Sequence, residues 1–181
     1  FHPQSDGDPL WSPDGKRIVF TSNRDGDGHT HLYDTAATAT GDDQLLLSAT
    51  ADDIPTSWSR DGKHILFMRF QSGARSTVWL LSLADRQAKP LLQSSAFDQG
   101  AAMFSPNGRF IAYTSDESGR FEVYVQPFPL TGDKWVISSG GGFLPLWRDD
   151  GKELFYVTID GKIMSAEISS DAAFENVVTK P

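Results

Sequence analysis

The chain has 181 residues, 39% of them hydrophobic and 12% aromatic, enough apolar matter for a core, and its 16 Gly and 10 Pro suit a turn-rich, all-β protein. A formal charge of −8 with no basic stripe excludes a nucleic-acid partner, because a phosphate backbone would be repelled. The absence of cysteine removes disulfides, thiol catalysis and thiolate metal sites; with no apolar run near about 18 residues and no charged-then-apolar leader, these residues neither insert in a membrane nor carry a signal peptide.

The chain opens on Phe1 rather than Met, as an excised piece of a longer protein does. In the first unit Pro9 to Ser12 reads as a short strand, Pro13-Asp14-Gly15-Lys16 as a turn and Arg17 to Thr21 as a second strand. A polar loop, Asn23 to Gly28, then leads to strands around His31 to Asp34 and Gln44 to Leu47. The second unit repeats the order with strands at Thr56–Ser59, His64–Phe70, Thr77–Leu83 and Lys89–Leu92. The third places them at Ala101–Phe104, Phe110–Ser115, Glu122–Gln126 and Lys134–Ile137. The fourth has Leu144–Trp147, Glu153–Thr158, Lys162–Ile168 and Glu175–Val178, with Asp160-Gly161 as a two-residue hairpin.

The turn glycines Gly15, Gly62, Gly108 and Gly151 stand 47, 46 and 43 residues apart, the period of a four-stranded propeller blade. The expected fold class is therefore all-β: a β-propeller of four blades with four antiparallel strands each, at residues 6–48, 52–94, 97–139 and 142–181 of a single domain, 1–181. Trp11, Trp58, Phe104 and Trp147 share one repeat position, where a large flat side chain fills the wedge between sheets and buries about 150–250 Å².

The run Asp8-Pro-Leu-Trp-Ser-Pro-Asp-Gly-Lys-Arg-Ile-Val-Phe-Thr-Ser-Asn-Arg-Asp-Gly resembles the WD40-like repeat of TolB-type β-propellers, and the likeness recurs in all four units. Arg60 and Asp149 depart from the expected Pro before the turn, and Phe104 from the expected Trp; none disturbs the turn chemistry. Phe128-Pro129, Gly140-Gly-Gly and Trp147-Arg-Asp-Asp-Gly-Lys look most like the propellers appended to some bacterial membrane-anchored serine/threonine kinases. The resemblance implies a bacterial, periplasmic or otherwise extracytoplasmic sensor module that binds a protein, peptide or small ligand. Its alternative is the propeller portion of a larger enzyme, a prolyl-oligopeptidase-like peptidase or a propeller lyase. TolB-type propellers usually have six or more blades, which leaves three assemblies: a closed ring, an open arc of a larger propeller, or a homodimer closing a larger ring.

No Gly-x-Ser-x-Gly, kinase signature, phosphate loop or His-Glu-x-x-His occurs, so no catalytic residue is assigned and the segment reads as non-enzymatic. His29 and His31 alternate and could share one side of a strand, without a third ligand near in sequence. Asn23, Asp25 and Asp27 set oxygens at alternate positions, a pattern read either as a calcium loop or as a polar Gly-rich connection; no other cofactor is expected. Gly140-Gly141-Gly142 reads as a flexible connection between blades. Ahead of the anchoring aromatics stand Asp6, Asp52, Asp53 and Asp98. If first strands line a channel, these carboxylates gather at its mouth to bind a cation, a basic peptide or a polar ligand; alternatively each accepts turn N–H bonds and does nothing more.

Overall fold

The computed structural model describes residues 5–38, 41–168 and 179–180, and the regular structure among them is all β-strand. The strands are β1 (Asp6–Trp11), β2 (Arg17–Ser22), β3 (His31–Ala36), β4 (Gln44–Leu47), β5 (Asp52–Trp58), β6 (His64–Phe70), β7 (Thr77–Ser82) and β8 (Gln87–Leu92). They continue as β9 (Gln99–Phe104), β10 (Phe110–Ser115), β11 (Glu122–Pro127), β12 (Trp135–Val136), β13 (Phe143–Trp147), β14 (Glu153–Val157), β15 (Ile163–Glu167) and β16 (Thr179–Lys180). Every four consecutive strands form one antiparallel sheet, giving sheets 1 to 4. Two compact units, Phe1–Ser95 and Ala96–Pro181, hold sheets 1 and 2 and sheets 3 and 4. The strand expected at Glu175–Val178 lies outside the described residues; sheet 4 is completed by β16, with Thr179 opposite Ala166.

The turns between first and second strands are one device used repeatedly. Gly15, Gly62, Gly108 and Gly151 all have φ between 68° and 74°, which a Cβ disfavours. Ser12 Oγ donates to Asp14 Oδ1 at 2.7 Å and accepts the Arg17 N–H at 2.9 Å, and Ser59 with Asp61 and Ser105 with Asn107 repeat this arrangement. In the fourth turn Arg148 replaces the serine and grips Asp150 with two bonds of 2.7 and 2.8 Å, which with the Lys152 N–H pulls that carboxyl down to about 2. The Asp160-Gly161 hairpin differs from expectation: the Thr158 N–H bonds the Lys162 carbonyl, so three residues lie between them, with Gly161 left-handed.

Each first strand begins earlier than the sequence indicated, because each carries one extra residue that breaks its alternation. Register shifts fall between Gly7 and Leu10, Pro55 and Ser57, Gly100 and Met103, and Phe143 and Leu146. In three of them the residue three places before the aromatic is left-handed: Asp8 (φ 48°), Ala101 (48°) and Leu144 (52°). In the second sheet that place is Pro55, whose ring holds φ near about −65°. There the extra residue is Thr56, whose hydroxyl bonds the Leu66 carbonyl at 3.2 Å.

Within each unit one sheet packs on the next. Val19, Leu32 and Leu46 of sheet 1 meet Ile65, Phe67 and Leu81 of sheet 2, flanked by Leu10, Trp58 and Trp79. Phe110, Ala112, Val123, Val125 and Ile137 of sheet 3 meet Trp147, Leu154, Tyr156 and Ala166 of sheet 4. Trp147 is buried and its indole N–H donates to the Met103 carbonyl at 3.3 Å. Trp58 is half-buried, and Phe104 is buried edge-on to Phe128 at 5.1 Å. Trp11 departs from the wedge role: it is 55% exposed, because among the described residues no sheet stands ahead of β1 to receive it.

Gly140-Gly141-Gly142 is a built connection and not a slack one. The Glu122 carboxylate, 2% exposed, accepts the Gly140 and Gly141 N–H groups at 3.1 and 3.0 Å, the Ser138 hydroxyl, and Arg120 Nε at 2.6 Å. A Cβ on Gly142 would stand 2.6 Å from Ser138 Oγ, so no larger residue fits without displacing it. Burial pushes the Glu122 carboxyl up, but these four bonds outweigh it and hold the group below its ordinary 4.5.

Trp147→Ala is expected to cost about 3–5 kcal/mol in urea unfolding, while Trp11→Ala changes stability by no more than about 0.5 kcal/mol; similar losses at both would contradict the packing described. The lowered Glu122 value gives stability that is full above its unfolded value, near 4.5, and is lost as pH falls through the folded one. Glu122→Gln is expected to lose about 1.5–3 kcal/mol at neutral pH and to flatten the acid limb of a midpoint-against-pH curve.

Candidate functional site

The polar end of unit 1 is built from the loop between β2 and β3 and the start of β5. Gly26 and Gly28 take φ of 72° and 91°, which lets residues 23–30 reverse tightly and spread their carboxylates. Asn23 Oδ1 accepts the Ser5 N–H at 3.0 Å, so this side chain closes the end of sheet 1. Asp25 accepts the Tyr33 hydroxyl at 2.7 Å; burial first, and then this carboxylate, push the phenol up to about 12. Asp27 accepts the His29 N–H at 3.0 Å through one oxygen and faces His31 Nε2 at 2.9 Å through the other. Of the three oxygen-bearing side chains, Asn23 thus serves the Ser5 N–H, while Asp25 and Asp27 both lie against His31, at 3.8 and 2.9 Å. Among the described residues no group of three or more His, Asp or Glu is placed to hold a metal ion.

His29 and His31 also separate. His31 is fully buried, whereas His29 Nδ1 lies 3.6 Å from Asp52 Oδ1, with about a third of its side chain exposed. Asp52 Oδ1 accepts the Thr30 N–H at 2.8 Å, and the Asp53 N–H donates to the Thr30 carbonyl at 3.1 Å, tying the loop of sheet 1 to the first strand of sheet 2.

Asp53 is fully buried and takes two bonds of 2.7 Å from Arg69, whose guanidinium lies 4.1 Å over Trp79 and 5.4 Å over Phe67. Burial pushes this carboxyl up against the pull of Arg69. Asp6 holds the same repeat position in sheet 1. It meets Arg24 at 3.0 Å, and Arg24 also takes Asp43 at 2.7 Å and lies over Tyr33 and Phe20 at 4.6 and 5.3 Å. In unit 2 the Asp98 backbone pairs with Asp116, whose Oδ1 accepts the Asp98 N–H at 2.7 Å. Sequence reasoning singled out the aspartates and missed both arginines. The signal was available for Arg69: in the hairpin of β5 and β6, Asp53 and Arg69 are direct cross-strand partners.

What remains for recognition is an acidic rim. Asp25, Asp27 and Asp52 keep 40, 46 and 46% of their side chains exposed, Asp25 and Asp27 beside His31 and Asp52 beside His29, on a frame locked by Asp53 and Arg69. Such a rim attracts cationic or hydrogen-bond-donating groups.

Comparison with known proteins agrees with this architecture. No family model matches the chain. A Tol-Pal system protein TolB from Anaeromyxobacter dehalogenans is 31% identical over 99 residues, 54% of this chain and 22% of the relative. TolB from Acinetobacter baumannii superposes over 97% of this chain and 43% of its own, with a TM-score of 0.77 and 23% identity. The fold is that of a TolB-type β-propeller. The same blades superpose on a Mycobacterium tuberculosis puromycin-hydrolyzing peptidase (TM-score 0.72, 15% identity, 99% of this chain and 31% of that one). They also superpose on an oligogalacturonate lyase (TM-score 0.65, 14% identity, 92% and 49%). The TolB-type blades described here span about a fifth of the length of the curated relative.

Removing Arg69 leaves Asp53 buried without its partner. Arg69→Met is therefore expected to cost about 3–5 kcal/mol in chemical unfolding; a loss below about 1 kcal/mol, the range of an exposed pair, would show that this contact does not lock the rim.

Proposed function

We propose that the chain is a non-catalytic propeller module, working in the periplasm or otherwise outside the cytoplasm, whose acidic rim takes a basic segment of a protein or peptide partner. The observation that carries this reading is the half-exposed trio Asp25, Asp27 and Asp52 beside His31 and His29, mounted on a frame held by the Asp53–Arg69 pair. The curated relative's membership of the Tol-Pal system supports an envelope role.

A second reading, the propeller portion of a larger peptidase or lyase, is supported by the superpositions on the puromycin-hydrolyzing peptidase and the oligogalacturonate lyase. In it the chemistry lies on segments outside this chain. A Gly-x-Ser-x-Gly downstream in the parent gene decides for the peptidase, and a kinase followed by an apolar span upstream decides for sensing.

The binding reading is tested by fluorescence anisotropy with a labelled Lys/Arg-rich peptide and a Glu-rich peptide of equal length. The basic peptide is expected to bind, to weaken as salt rises, and to lose about tenfold or more in affinity against the combined Asp25→Asn, Asp27→Asn, Asp52→Asn variant. No preference for the basic peptide, or an unchanged affinity in the variant, would defeat the reading.

A further inference from the structure

Three of the four turns between first and second strands carry an aspartate before the left-handed glycine: Asp14, Asp61 and Asp150. The third turn carries Asn107 there instead, followed by Gly108. The other two asparagines of the chain, Asn23 and Asn176, precede Arg24 and Val177. The difference is chemical as well as structural. The side-chain amide of an asparagine is an electrophile for the backbone nitrogen of the next residue, and a glycine, with no Cβ and a permissive backbone, hinders that approach least.

We propose that Asn107 is a deamidation site that the native turn holds closed and the unfolded chain opens, and whose aspartyl product the fold accepts. In the reaction the Gly108 nitrogen bonds Asn107 Cγ, its proton and the side-chain NH2 leave together as ammonia, and a cyclic imide remains. Water then opens the imide. Cleavage of the bond from Cγ to nitrogen restores the ordinary backbone with an aspartate side chain; cleavage of the bond from the backbone carbonyl carbon to nitrogen leaves an isoaspartyl link, one carbon longer.

The native turn keeps both reacting groups occupied. The Gly108 N–H donates to the Ser105 carbonyl at 2.9 Å. Asn107 Oδ1 accepts the Ser105 hydroxyl at 2.7 Å and the Arg109 N–H at 3.0 Å, and these bonds fix the side chain whose Cγ has to swing onto the Gly108 nitrogen. Unfolding releases all three at once.

The product fits because two sister turns are built on it. Asp14 and Asp61 each accept a serine hydroxyl at 2.7 Å and the N–H two residues on at 3.1 Å through one oxygen, as Asn107 does. Both Asn107 bonds end on Oδ1, so exchanging the NH2 for an oxygen breaks neither. Arg109 holds the place from which Lys16 and Lys63 approach Asp14 and Asp61, at 4.0 and 3.8 Å. The serine hydroxyl first, and then the backbone N–H, hold the Asp14 and Asp61 carboxyls below their ordinary value, so this turn favours the ionised form. An isoaspartyl link instead lengthens a hairpin closed by the Ser105 N–H on the Phe110 carbonyl at 2.9 Å. Chain that has been unfolded and refolded thus carries a record of it, one added negative charge at this turn. None of these residues belongs to the acidic rim, so the proposal and the binding reading fail independently.

The test incubates the full chain in mildly alkaline buffer, native and in guanidinium, and reads each asparagine by peptide mapping with mass spectrometry. Asn107 is expected to convert about tenfold or more faster in guanidinium, the factor that release of one or two turn bonds implies, with Asn23 and Asn176 lagging behind it. Ser105→Ala, verified as folded by circular dichroism, removes one holding bond and is expected to raise the native rate while leaving the guanidinium rate as in the parent. Asn107→Asp is expected to refold and to melt no lower than the parent at neutral pH. Equal rates in native and unfolded parent overturn the proposal, as does conversion of Asn23 or Asn176 as fast as Asn107. A folded Ser105→Ala chain with an unchanged native rate overturns it too, as does an Asn107→Asp chain that melts well below the parent.

Discussion

The structure depends on one contact: the face of a sheet that carries the repeat aromatic lying on the other face of the sheet before it. A four-stranded sheet of short strands with apolar side chains on both sides cannot bury both by itself, and stacking supplies the missing cover. The middle strands show the consequence. Phe110–Ser115 is buried at every position, and its first four residues, Phe-Ile-Ala-Tyr, read as an apolar run rather than as an alternation. The same contact explains why a residue type does not determine its own environment. Trp147 and Trp11 occupy one repeat position with one flanking chemistry, yet one is buried and the other exposed: Trp147 packs on sheet 3, whereas among the described residues of its unit no sheet lies on Trp11.

Much of this was legible in the amino-acid sequence wherever local sterics dictate it. The Asp-Gly and Asn-Gly turns demand a left-handed residue, and they fix the register of the hairpins around them. β6 and β10, each entered from such a turn, accordingly fall at the residues where pattern alone places them, His64–Phe70 and Phe110–Ser115. The early starts of the first strands were not legible, because the left-handed residue of each bulge is an ordinary Asp8, Ala101 or Leu144, which carries no sequence mark of its conformation. The order in Gly140–Gly142 was hidden for another reason. The group that organises it, the Glu122 carboxylate, lies about twenty residues back and is brought there only by the pairing of strands.

The acidity of the chain is likewise redistributed by folding. Asp14, Asp61 and Asp150 are occupied by hairpin N–H groups, and Asp6 and Asp53 by arginines stacked on the aromatics of their own sheets. Glu122 is spent on a backbone connection. A charge of −8 read from composition thus overstates the acidic surface open to a partner and says nothing of where it lies. After this internal use, the loop before β3 and the start of β5 stand out, with three half-exposed aspartates beside His31 and His29.

That location follows from the logic of a repeat. Residues that recur at fixed spacing, the turn glycine, its Asp or Asn, and the aromatic, are required by the stacking and are present in all four units. A partner that recognised only these would find four equivalent places. The connection between second and third strands is one place where the units diverge: Asn23 to Thr30 in the first, Gln71 to Ser76 in the second, Asp116 to Phe121 in the third and Thr158 to Lys162 in the fourth. The first of these is the longest of the four and the one that brings two histidines against carboxylates. Specificity in such a chain therefore belongs to the residues that break the repeat, and stability to those that keep it.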